Sequence, residues 1–322
     1  MSSTPAFAAP QPGTQPAPGP GRLPGPSTGL GAGASLLMMG WLSVVLWLDR
    51  AGGDGGLWLQ RGLGVLTWLV LLLALARVAP LVRAQALVVV CFATAVEYVF
   101  SPTLHVYAYR FDNVPAYVPP GHGLVYLSAF ALGHAAFVRR SMRRWEAGVC
   151  VVGGAWAAYG VLLADRPDAL GAFWFACLVL FLAFGPSKPV YVGAFVVVSW
   201  LELLGTHLGS WAWGTHDFTG WVTIGNPPSG AAGGYGWFDL AALLAAPHLV
   251  RWFSRSAREP APTRRSPAGR TAACSRTLCR SPAGAGAPGR TATSGPTCCS
   301  PRVRWTWRLS RSSSSTTWRR ST

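Results

Sequence analysis

The sequence predicts an all-α fold, a polytopic integral membrane helix bundle of about eight transmembrane helices with an internal duplication. Three observations predict it. The 322 residues are 51% hydrophobic and only 12% charged, against roughly 25% charged in a soluble domain, too few to cover a water-facing surface. The apolar residues fall into eight runs divided by short polar loops. One stretch, Glu97 to Gly123, is echoed by another, Glu202 to Gly230.

Residues 1–31 are rich in Pro, Gly, Ala, Ser and Thr, with Arg22 the only charge. Such a segment cannot bury enough apolar surface to offset its ordering entropy, so a disordered tail is expected. It also lacks the basic region before an early apolar core that marks an ordinary signal peptide. A transmembrane helical domain is expected over 32–253. A span needs about 20 mostly apolar residues, and the runs that approach this are roughly 32–48, 62–79, 84–103, 123–138, 147–164, 169–185, 189–208 and 231–250.

Basic residues alternate between the loops. Arg77 and Arg83 follow the second run, and Arg139, Arg140, Arg143 and Arg144 follow the fourth. Lys188 follows the sixth, and Arg251, Arg255 and Arg258 the eighth. In the other loops each Arg is offset by Asp. The positive-inside rule then places both termini in the cytoplasm of a multi-pass cell-membrane protein.

Residues 254–322 are expected to form a disordered basic tail. From Ala261 onward there is no Asp or Glu but abundant Arg. Much of the formal net charge of +16 lies there, so the bulk charge is no argument for nucleic-acid binding. Three readings of the tail stay open: a disordered segment, a slipped GC-rich reading frame, or an Arg contact with anionic lipid or nucleic acid. Its cysteines, Cys274, Cys279, Cys298 and Cys299, match no zinc spacing.

The echo carries the chemistry. Each stretch begins with a carboxylate inside an apolar run, Glu97 or Glu202. An aromatic-x-aromatic pair follows, Tyr107/Tyr109 and Trp211/Trp213, then Asn113 or Asn226, then Pro-Pro ahead of glycine. The carboxylates stand 105 positions apart and the second aromatics 104, the near-constant offset of a repeat. Together with Asp239 in the last run, these acids lie at membrane depth, where a charge is costly and functional by default. No Lys or Arg of the runs can pair with them, which favours a neutral acid or a pocket of hydrogen-bond donors. A carboxylic acid kept neutral in a dry pocket is a competent proton donor. Glu97, Glu202 and Asp239 are therefore the candidate catalytic residues; the alternative is that they brace the external loops.

Tyr107, Tyr109, Asn113, Trp211, Trp213 and Asn226 are the candidate substrate-binding residues. Aromatic faces can stabilise a developing cation, although Trp and Tyr also gather at membrane interfaces. His105, His122, His134, His207 and His216 lack ligand spacing, and His134 is expected near mid-membrane; no metal and no cofactor is expected. Gly205 and Gly209, spaced G-x-x-x-G, suit close helix packing.

Glu202-Leu-Leu-Gly205-Thr-His-Leu-Gly209, followed by Trp211-Ala-Trp213, resembles a motif of the membrane-embedded carotenoid hydratases of bacteria and archaea. A looser likeness is to the small integral lycopene cyclases. The resemblance implies that Glu202, and through the repeat Glu97, protonates a polyene end. Capture of the cation by water would give a hydroxylated product and ring closure a cyclic one. The expected partners are the bilayer and a lipid or isoprenoid substrate, with no nucleic acid. A proton- or cation-coupled transporter and a non-catalytic membrane scaffold are the alternatives. The first is weakened because the Pro and Gly breaks lie mainly in external loops rather than beside the acids, Gly205 excepted.

Overall fold

The structure, a computed structural model, describes residues 30–256, all within one compact unit. Apart from their inner edges, the two expected tails lie outside these residues. The order of elements is α1 (Ala32–Leu48), α2 (Leu57–Ala76), α3 (Pro80–Phe100), β1 (Tyr107–Tyr109), α4 (Val118–Gly133), α5 (Ala136–Arg140), α6 (Met142–Leu162), α7 (Ala169–Phe184), α8 (Lys188–His207), β2 (Trp211–Trp213) and α9 (Ala231–Ser256). Proline opens α3, α4 and α8 within their first two positions, where its missing N–H costs nothing.

Four helices, α2, α3, α6 and α8, are long and apolar enough to cross a membrane, and α1 and α7 are shorter apolar helices. Trp58, Leu72, Val151, Leu162 and Phe184 all face outward. Glu97, Glu202 and Asp239 are buried instead. An apolar exterior around a partly polar core is the reverse of a water-soluble surface. These features point to a membrane protein.

The centre is a square of four helices. In it α3 packs on α9 and α4 on α8, while α3–α4 and α8–α9 close the remaining sides. Each half of the repeat thus lays its first central helix against the second central helix of the other, as a two-fold relation requires. Outside the square, α2 rests on α4 as α7 rests on α9. The same pattern of contacts thus recurs for α2 and α7, while α1 packs on α4 and α6 on α7. Glycine lets α4 and α8 meet backbone to backbone: a Cβ at Gly133 would overlap the Pro189 carbonyl, and one at Gly193 the Ala129 carbonyl.

Several local expectations change. The PPGHG segment is the opening of α4 rather than a loop, so His122 is helical. That helix ends at Gly133, which makes His134 its C-cap, stacked on Phe130, and not a mid-span residue. The G-x-x-x-G pair joins no two helices. A Cβ at Gly205 would strike the Trp211 indole, and Gly209 turns the chain out of α8 at φ +67° beside Ala51.

Two buried aspartates pin the loops that follow the strands. Asp49, after α1, accepts from the Tyr117 hydroxyl at 2.6 Å and from Gln60 Nε2 at 2.9 Å. Arg110 lies 3.7 Å from it and donates to the Gly53 carbonyl at 2.6 Å. Asp168, before α7, accepts from the backbone N–H groups of Gly171, Gly225 and Ser229 at 3.0, 2.8 and 2.7 Å. Arg166 donates to the carbonyls of Ile224, Trp213 and Gly214. Asp168→Ala strands three backbone donors, each costing about 1–3 kcal/mol; thermal unfolding in detergent should show a marked loss of stability. Glu146→Ala breaks only the exposed pair with Lys188 at 3.1 Å, worth under about 1 kcal/mol, and the midpoint should barely move.

Candidate functional site

The two aromatic-x-aromatic motifs pair with each other. β1 and β2 run antiparallel with Tyr107 opposite Trp213, Ala108 opposite Ala212 and Tyr109 opposite Trp211. Because side chains alternate along a strand, all four aromatics project to one side, where they line a cavity of about 230 Å³. Tyr107 and Trp213 meet at a tilt with ring centres 4.6 Å apart, and Tyr109 and Trp211 meet at 6.2 Å. Much of the remaining wall is apolar, including Leu42, Val45, Phe92, Phe100, Leu201 and Phe238. No Lys or Arg among the described residues lines it.

Glu97 from α3 and Glu202 from α8 enter this one cavity, 6% and 2% exposed. Glu97 Oε2 accepts from the hydroxyls of Tyr107 and Tyr109, both at 2.8 Å. Glu202 Oε2 accepts from the indole nitrogens of Trp211 and Trp213, both at 3.1 Å. Each glutamate is therefore held by the aromatic pair of its own repeat. Hydrogen bonds to a carboxylate are worth about 1.5–3 kcal/mol each, enough to offset much of the cost of burying it.

His122 completes the Glu97 side. Its Nδ1 lies 3.0 Å from the Val118 carbonyl, which can only accept, so Nδ1 carries hydrogen. Its Nε2 lies 3.3 Å from Glu97 Oε1. The His122 ring stacks on Tyr235 at 5.3 Å, and both rings line the cavity with the two acids.

Of the candidate residues, Glu97, Glu202, Tyr107, Tyr109, Trp211 and Trp213 come together in the cavity. The other three lie outside its lining. Asn113 donates to Gln60 Oε1 at 2.7 Å and Asn226 accepts from the Trp213 backbone N–H at 2.9 Å; both brace loops. Asp239 is buried in α9 away from the cavity wall. His122, Tyr235 and Trp174 line the site without having been singled out as substrate contacts. A signal for two of them exists: His122 and Tyr235 are 113 positions apart, as are Asn113 and Asn226.

Burial, and then the Glu97 charge, push the Tyr107 and Tyr109 phenols well above their usual value of about 10. Burial and Asp49 do the same to Tyr117. These groups stay neutral donors in the folded state and ionise readily only when unfolded. Their contribution to stability is full below about pH 10 and falls as pH rises beyond it. Alkaline absorbance titration should show Tyr107, Tyr109 and Tyr117 ionising only together with unfolding.

Comparison with family models, with curated proteins and with solved structures returns no match.

Proposed function

We propose that this is a multi-pass membrane enzyme that acts on an apolar, unsaturated isoprenoid or lipid by acid chemistry. The observation that carries the reading is the placing of two donor-bound carboxylates in one aromatic, cation-free cavity. The eight long helices are the eight spans, the paired strands cap the outer side, and the basic loops put both termini in the cytoplasm. Phe92 and Trp237 line the cavity and are also 40% and 47% exposed, giving a lateral opening between α3 and α9 through which a lipid-borne substrate enters. The cavity is smaller than the roughly 300–1,000 Å³ of a site that takes a whole small ligand, and it suits the end of a long chain.

A proton carried by Glu97 passes to a terminal double bond, leaving a carbocation and the Glu97 carboxylate. The faces of Tyr107, Tyr109, Trp211 and Trp213 stabilise that charge, and the low-dielectric surroundings strengthen the effect. The cation then gains water and loses a proton, or closes a ring and loses a proton, with Glu202 as acceptor. No oxidant is needed. An acyclic carotenoid end is the substrate that the Glu202–Trp213 motif favours.

Duplicated membrane folds with buried acids also suit proton- or cation-coupled transport. Against that reading, α3 runs unbroken through Glu97 and α8 through Glu202, where transporters place interrupted helices at their central site.

The test is a lipid and pigment extract from cells that make an acyclic carotenoid and express the full chain. The wild type should yield a hydrated or cyclised product. Glu97→Gln should lower its formation about 10²–10⁴-fold, the range lost with a general acid, at equal membrane abundance. No product from the wild type, or an undiminished one from the Glu97→Gln/Glu202→Gln pair, contradicts the proposal.

A further inference from the structure

A second polar layer lies in the core beyond the cavity. Asp239 on α9 is 5% exposed and its Oδ2 has no hydrogen-bond partner. The Tyr191 hydroxyl on α8 is fully buried and likewise has none. Tyr126 on α4 donates to Gln85 Oε1 on α3 at 3.0 Å. α4 and α9 meet where His122 stacks on Tyr235, so Tyr126 and Asp239, one turn further along each helix, face the same region of the core. Each of the four central helices thus supplies one polar side chain here, as each does at the cavity.

The two layers are linked along α4 and α9. Tyr126 follows His122, and Asp239 follows Tyr235, by four residues, about 6 Å along one helix face. Both pairs obey the 113-residue offset of the repeat, so the layers form two rungs of one duplicated device: His122 and Tyr235 above, Tyr126 and Asp239 below. Gln85 and Tyr191 lie five and three residues from the first residues of α3 and α8, near the bundle end opposite the β1–β2 cap. An orphaned carboxylate and an orphaned hydroxyl on the packed helices α9 and α8 are costly in a dry core, and one internal water within reach of two to four polar groups relieves both.

We propose that Asp239, Tyr126 and Tyr191 hold an internal water and a proton, and that they exchange this proton with Glu97 and Glu202 through Tyr235 and His122. The site is reset between turnovers from the side opposite the cap. This rests on Glu97 and Glu202 forming an acid site, not on which substrate they act on. The proton moves between oxygen and nitrogen atoms already present, and no redox partner is involved.

The experiment uses the full-length protein in lipid nanodiscs without substrate, moved from H₂O to D₂O and followed by infrared spectroscopy of the carboxylic C=O region. Two bands are expected, one lost in Asp239→Asn and one lost in Glu97→Gln or Glu202→Gln. Hydrogen–deuterium exchange of the second band should slow at least tenfold in Asp239→Asn and in Tyr191→Phe, and not in the surface variant Asp217→Asn. Tyr191→Phe keeps the ring stacked on Phe181 at 5.3 Å, so it tests the relay even if Asp239→Asn does not fold. Unchanged exchange in Tyr191→Phe overturns the proposal, and so does the absence of either band. Because no substrate is present, a failed product assay leaves this result standing, and failure here leaves the product assay standing.

Discussion

Three residues of β1 lie antiparallel to three of β2, and through that pairing four aromatic donors reach two buried carboxylates. A two-stranded ribbon is marginal by itself, so it depends on its supports. Arg110 and Asp49 tie down the chain leaving β1, and Arg166 and Asp168 tie down the chain leaving β2. Gly205 clears the space that the Trp211 indole fills. Without the ribbon, Glu97 and Glu202 would lose four of their donors and stand as uncompensated charges in a low-dielectric core, a strongly destabilising state.

The halves share a plan but differ in chemistry. Glu97 has two phenols and an imidazole beside it, whereas the donors on Glu202 are two indoles. An indole N–H donates and does not accept. In the proposed reaction this inequality separates the acid from its counterpart across one cavity.

The helices were legible from apolar runs, and the site from two acids followed at nearly equal distance by paired aromatics. What the sequence hid depends on spatial register. Nothing in Tyr107–Tyr109 or Trp211–Trp213 marks them as strands, because three residues carry too little period to read. The match of α4 with α9 was hidden, since α3 and α8 align near 105 positions and α4 and α9 at 113; the longer loop after β2 absorbs the difference. Asn113 and Asn226 looked like ligand contacts for that same reason, as repeated polar residues near the acids, yet their amides satisfy Gln60 and the Trp213 backbone. His122 was hidden by its neighbours: Pro119, Pro120 and two glycines read as a loop, while buried packing on every side holds the segment helical.

Cysteines introduced at Ala108 and Ala212, which face each other outside the cavity, test the central claim most directly. Opposed residues in an antiparallel pair have Cβ atoms about 4.5–5.5 Å apart, within reach of a disulfide after slight adjustment. Mild oxidation of the Ala108→Cys/Ala212→Cys protein in native membranes should give a linked peptide joining the two halves, seen by mass spectrometry, with none from Ala108→Cys paired with Phe218→Cys. An unlinked 108/212 pair under conditions that oxidise other exposed thiols would contradict the pairing, and with it the single cavity shared by both glutamates.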